Sequence, residues 1–206
     1  MKPFKLGILG SGKGSNMAAI ADACLSGALP CQIAQVLSDV PDAGILKHAS
    51  DRGLTGRFIP PGKFRTKLDE EAEAEFIRSL QDAGVDLIVL AGFMRILKGP
   101  FITAFPNKVI NIHPSLLPSF PGLEAWNQAL SYGVKVTGCT VHYVDQGIDS
   151  GPIIGQATVP VLDQDTAETL HARIQQAERQ LYPDCIRAIA TGRVEVTGRR
   201  ITTKPA

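Results

Sequence analysis

The sequence predicts an α/β fold of the Rossmann-like, doubly wound kind: a mostly parallel sheet with helices on both faces and a C-terminal mixed extension. Three observations carry this. Short apolar runs of strand length alternate with helical segments that stop at glycine. Helices lying between strands imply parallel pairing through right-handed crossovers. After Pro118 the alternation gives way to two longer neighbouring strands, one long helix and a terminal hairpin.

Taken in order, Leu6–Leu9 reads as a buried strand and Asn16–Ser26 as a helix closed by Gly27. Ile33–Leu37 is a second strand, and Asp42–Arg52 a second helix stopped by Gly53. A short third strand near Phe58 and Ile59 runs into the turn cluster Pro60-Pro61-Gly62. Lys67–Ala83 is a long Glu-rich amphipathic helix closed by Gly84. Val85–Leu90 is the strongest central strand, and Lys108–Ile112 the next. Val134–Val144 and Pro152–Val159 read as two longer strands joined by the Asp145–Gly151 turn region. A helix over Thr166–Ala190 follows, then a hairpin about Gly198. With no linker and no repeat, residues 1–206 are expected to form one domain. Its first half, about 1–105, is Rossmann-like and binds phosphate; its second, about 106–206, is catalytic and binds the second substrate.

Composition removes several function classes. The chain has 206 residues, 44% hydrophobic and 20% charged, with a net charge of +1, so electrostatics offers nothing to nucleic acid or an anionic membrane. No apolar run reaches the length of a membrane span, and the start of the chain lacks the apolar stretch of a signal peptide, so a cytoplasmic location is expected. The four cysteines, Cys24, Cys31, Cys139 and Cys185, are scattered without close pairs, which reads as free buried thiols in a reducing compartment. His48 and His171 read as surface residues. No metal-binding spacing occurs, and no metal is expected.

The richest stretch is Val109-Ile110-Asn111-Ile112-His113-Pro114-Ser115-Leu116-Leu117-Pro118. Asn111 and His113 are spaced i, i+2 and leave the strand on one face, and Pro114 turns the chain out of the sheet behind them. The pair thus sits at a strand end, where open α/β sheets bind ligands. An amide donor beside an imidazole suits polarising a carbonyl and moving a proton near neutral pH. Gly10-Ser11-Gly12-Lys13-Gly14-Ser15-Asn16 joins the first strand to the first helix, and its backbone N–H groups and helix N-terminus suit a phosphate. The spacing matches neither the dinucleotide fingerprint nor the Walker motif, which favours a phosphomonoester. Ala91–Leu97, with Phe93 and Met94, suits a flat heteroaromatic ligand held by main-chain bonds and apolar walls. Gly138–Pro152 carries Asp149 in a glycine-flanked turn, a carboxylate able to orient His113, favour its protonated form and relay a proton.

Together these segments resemble the phosphoribosylglycinamide formyltransferases, folate-dependent enzymes of one-carbon metabolism and purine biosynthesis. The resemblance runs from the Gly10–Asn16 loop to the helix carrying Gln175 and Glu178, and it is most specific at Asn111-x-His113-Pro114-Ser115-Leu116-Leu117-Pro118 and Asp149-Ser150-Gly151-Pro152. It implies that Asn111, His113 and Asp149 are catalytic. It implies that Gly14, Ser15, Asn16, Gln175 and Glu178 bind glycinamide ribonucleotide. It assigns the folate to Lys67, Met94, Arg95, Ile96, Leu97, Asn111 and Asp145. By periodicity alone Gln175 and Glu178 would be an ordinary solvated helix face. The implied transferase takes 10-formyltetrahydrofolate as co-substrate, needs no metal, and acts as a monomer or homodimer without nucleic acid or membrane.

Two relatives share the trio. A methionyl-tRNA formyltransferase would add a tRNA-facing domain and basic charge. A formyltetrahydrofolate deformylase would add an N-terminal regulatory domain, whereas here the first strand begins near residue 5. A nucleotide-binding sensor is the non-enzyme alternative, and it leaves Asn111, His113 and Asp149 without a purpose.

Overall fold

A computed structural model describes residues 2–204; Met1, Pro205 and Ala206 lie outside the described residues. The elements are β1 (Phe4–Leu9), α1 (Ser15–Leu25), β2 (Cys31–Ser38), α2 (Gly44–Ser50), β3 (Gly56–Phe58), α3 (Glu70–Ala83), β4 (Leu87–Leu90), α4 (Pro100–Ala104), β5 (Val109–His113), α5 (Ala125–Tyr132), β6 (Val136–Tyr143), β7 (Ile153–Pro160), α6 (Ala167–Ala190), β8 (Val194–Thr197) and β9 (Arg200–Thr203). Seven strands form a mostly parallel sheet in the order β3-β2-β1-β4-β5-β6-β7, as the expected α/β class requires, and β8 and β9 form the expected hairpin. The contacts divide the chain into two compact units, Met1–Ile110 and Asn111–Ala206.

In the first unit β1 is the hub, parallel to β2 on one side and β4 on the other, and β3 extends the sheet beyond β2. The chain winds outward from β1 to β3 and then returns to β4, so the winding reverses between β1 and β4. Such a reversal leaves an open crevice at the strands' carboxyl ends. Both loops singled out in the sequence, after β1 and after β4, leave from that edge. Beneath it the core is continuous: Leu6, Ile8, Leu9, Met17, Ile20, Val36, Leu37, Phe76, Leu80, Ile88 and Val89 are buried. Burying Phe76 alone contributes about 2 kcal/mol. Helix α3 begins three residues later than the periodicity predicts, because the Asp69 side chain accepts from Ala72 N–H at 3.0 Å and caps it there. Strand β4 likewise begins at Leu87 rather than Val85, since Val85 N–H still bonds back to Leu80 carbonyl behind α3.

In the second unit β6 pairs antiparallel with β7 from Val136↔Pro160 to His142↔Ile153. Helix α6 is held at its start by a capping box between Thr166 and Thr169 and by a two-pronged Arg173–Asp165 ion pair. Two short helices, α4 and α5, were not expected from the sequence. Helix α4 has only five residues, too few to show a helical period although Pro100 opens it, and α5 begins at a left-handed Glu124 with no side-chain cap. Cys139 and Cys185 are buried as expected, whereas Cys24 and Cys31 are half-buried; all four are free thiols.

Candidate active site

The catalytic candidates meet in the second unit. Strand β5 buries Val109, Ile110 and Ile112, and its alternation puts Asn111 and His113 on one face. His113 is only 4% exposed. Its Nδ1 lies 3.4 Å from Asp149 Oδ2, and its Nε2 lies 2.8 Å from the Phe120 carbonyl. A carbonyl only accepts, so Nε2 carries a hydrogen and donates it. Any proton this ring exchanges with Asp149 is therefore handled at Nδ1.

Asp149 itself stands in a left-handed conformation, φ 50°, and its Oδ2 also accepts from Gly122 N–H at 2.8 Å. The loop that presents it is folded by Asp145, whose Oδ1 accepts from Gly147 N–H at 2.9 Å and Ser150 Oγ–H at 2.7 Å. Gly151 cannot be replaced cheaply: a Cβ there would meet the Tyr143 carbonyl oxygen at 1.8 Å. Behind His113 a buried relay fixes the chain after Pro114. Thr140 Oγ1–H donates to Ser115 carbonyl at 2.7 Å and accepts from Leu117 N–H at 3.0 Å, and Gln156 holds the Leu117 carbonyl at 3.0 Å.

The cluster also contains a residue to which no sequence motif assigns a role. His142, on β6, has Nε2 3.4 Å from Asn111 Nδ2 and 3.8 Å from Asp149 Oδ1, and its Nδ1 donates to the Tyr143 carbonyl at 2.9 Å. Burial pushes this imidazole below its usual pKa, against the opposing pull of the Tyr143 carbonyl and of Asp149. A neutral ring with Nδ1–H leaves a lone pair on Nε2, which accepts from the Asn111 amide and fixes its orientation. The signal was a histidine near the end of a strand-like run, but which strand β6 would neighbour was not readable from the sequence.

The first unit holds the other two motifs. The Gly10–Asn16 loop turns through Gly14, at φ 79° with a would-be Cβ 2.6 Å from Ile45 Cα, so only glycine fits. Helix α1 starts directly after it and has no acidic residue in its first turn, leaving its positive end unopposed for an anion. The loop after β4 is tied to it: Ser11 N–H donates to Gly92 carbonyl at 2.9 Å, and Ser11 Oγ accepts from Met94 N–H at 2.8 Å. Within that loop Met94 and Ile96 are exposed while Leu97 is buried.

A family model described as formyl transferase matches residues 4–186. The chain belongs to the formyl transferase family. A phosphoribosylglycinamide formyltransferase of Haemophilus influenzae is 39% identical over 193 residues, 93% of this chain and 90% of that protein. A solved structure of glycinamide ribonucleotide transformylase 1 from Symbiobacterium toebii is 49% identical and superposes with a TM-score of 0.93, covering 97% of this chain and 93% of the other. The trifunctional purine biosynthetic protein adenosine-3 of Drosophila melanogaster is 41% identical over 190 residues, 91% of this chain, but the chain spans only 14% of that protein's length.

The remaining family-implied residues divide by unit. In the second, Gln175 and Glu178 are not a solvated helix face: Glu178 is 6% exposed with its carboxylate near Cys139, and Gln175 Nε2 lies 3.2 Å from His171 Nε2. Nor is His171 a plain surface residue, since its ring stacks on Trp126 with centroids 3.7 Å apart. His48 is likewise half-buried against Arg52. In the first unit, Lys67 is exposed, its ammonium 4.4 Å from the centre of the Phe64 ring. Among the described residues no group of three or more His, Cys, Asp or Glu could hold a metal ion, and no helix is long and apolar enough to cross a membrane.

Proposed function

We propose that this chain transfers the formyl group of 10-formyltetrahydrofolate to the amine of glycinamide ribonucleotide, a step of purine biosynthesis. The observation that carries the reading is the meeting of Asn111, His113 and Asp149, with His113 Nδ1 3.4 Å from the Asp149 carboxylate. Gly14, Ser15 and Asn16 bind the phosphate of the nucleotide through backbone N–H groups and the start of α1, and Gln175 and Glu178 bind its ribose and amine side. Met94, Arg95, Ile96 and Leu97 form the pterin loop, with Lys67 and Asp145 as further folate contacts.

In the chemical step the neutral amine attacks the formyl carbon, forming the new C–N bond and leaving negative charge on the formyl oxygen. The Asn111 amide and His113 stabilise that oxyanion. In the structure as it stands His113 Nε2–H is engaged by Phe120, so donation to the formyl oxygen requires that bond to be exchanged. The amine's surplus proton leaves through Asp149, and the C–N10 bond breaks as N10 of the folate takes up a proton. The expected setting is the cytoplasm, as a monomer or homodimer.

The test is direct: purified protein with both substrates should yield formylglycinamide ribonucleotide and tetrahydrofolate in equal amounts. Formate released at the same rate without glycinamide ribonucleotide would mark a deformylase and overturn the reading.

A further inference from the structure

The first unit contains a buried carboxylate that catalysis does not use. Asp39, just past the end of β2, is 4% exposed. Its Oδ1 accepts from Ser11 Oγ–H at 2.5 Å and its Oδ2 from Arg95 Nε–H at 2.7 Å. Ser11 belongs to the Gly10–Asn16 loop and also receives Met94 N–H at 2.8 Å. Arg95 goes on to donate through Nη1 to the carbonyls of Phe64 and Arg65, at 2.5 and 2.6 Å. A third loop, two residues from Lys67, is thus caught in the same network. Ile96 N–H adds a bond to Thr66 carbonyl at 2.8 Å.

The guanidinium of Arg95 is committed inside the protein, Nε to a carboxylate and Nη1 to two carbonyls. A buried carboxylate paired on both oxygens is rigid, because losing Arg95 would leave an uncompensated ion and losing Ser11 an unsatisfied oxygen. We infer that Asp39 is a positioning residue that holds the phosphate loop and the pterin loop in one fixed arrangement, so that recognition of both substrates depends on a single side chain that touches neither. This rests on the functional reading above. It differs from a local structural role in what it predicts: a local tie would disturb one substrate, whereas the Asp39 network must disturb both.

The test uses steady-state kinetics on the full chain with each substrate varied in turn. Asp39→Ala should raise the KM of glycinamide ribonucleotide and that of 10-formyltetrahydrofolate by about tenfold each, the weight of one hydrogen bond to a charged group. Its kcat should stay within about threefold, because the trio is untouched. Ser11→Ala, a milder change that keeps the fold if Asp39→Ala does not, should raise both KM values by a smaller factor. The double variant should fall short of the product of the two, as members of one network do. A change confined to one substrate, unchanged KM values, or a loss of kcat alone would overturn the inference. Wild-type protein inactive with these substrates would instead overturn the functional reading.

Discussion

Asp149 faces two imidazoles, His113 at 3.4 Å and His142 at 3.8 Å, and holds one peptide N–H. Its left-handed φ of 50° is one that asparagine also adopts readily, so Asp149→Asn should keep the fold and its melting temperature. An amide cannot take up the amine's proton, and turnover should fall roughly 10²-fold or more. Near-native turnover with an unaltered pH profile would reduce the residue to a turn former. His142 offers a second measurement. Its imidazole is held below the usual value by burial, so the folded state keeps it neutral while the unfolded chain titrates near 6.5. The unfolded state then binds more protons as pH falls. The stability contribution is therefore complete above pH 6.5 and is lost as pH falls through the lower folded value. His142→Gln should flatten the slope of melting temperature against pH below about 6.5, and an unchanged slope would exclude His142 as its source. The Asn111 and His113 pair was legible in the sequence because strand alternation and Pro114 fix where the two side chains point. His142 was not, because its role depends on which strand becomes the neighbour of β5, a long-range choice that local pattern does not encode.

Elements were legible where they announce themselves. Strand β1 ends and α1 begins within a few residues of expectation because a glycine-rich turn separates an apolar run from a helical one. Boundaries moved through side-chain capping at Asp69 and through the backbone bond of Val85 to Leu80, and the helices that were missed, α4 and α5, are short. The turn into α1 also gives a sharp test. Gly14→Val places a branched side chain at positive φ against the Ile45 backbone, closing the approach to the helix N-terminus. Affinity for glycinamide ribonucleotide should drop while that for the folate is largely kept, as calorimetry with each substrate alone would read. Native affinity for the nucleotide would remove the phosphate assignment.

At the scale of the whole molecule, the sheet class followed from alternation of strand and helix, but the order β3-β2-β1-β4-β5-β6-β7 did not. Right-handed crossovers constrain the handedness of each step and leave open on which side of β1 the chain returns. The cysteines illustrate the same limit, since spacing excluded a metal or redox pair without saying which thiols burial would protect. Burial pushes Cys24, Cys139 and Cys185 up to about 12, with the Cys31 thiol adding to Cys24, the Glu178 carboxylate to Cys139 and the Asp184 carboxylate to Cys185. These three should resist a thiolate-selective reagent at neutral pH and react once denaturant is added. Rapid labelling of any of them in the native protein, followed by mass spectrometry, would contradict the burial.

Three non-glycine residues of the second unit, Phe120, Glu124 and Asp149, stand at positive φ. Two of them frame the segment whose carbonyl grips His113, and a heat-selected lineage would treat them differently. Glycine at Glu124 relieves a conformation that costs on the order of 1 kcal/mol and touches none of the trio, so Glu124→Gly should survive a hotter screen at full turnover. Glycine at Phe120 relieves comparable strain but frees the carbonyl opposite Nε2, so selection for heat and selection for rate should part company at that position.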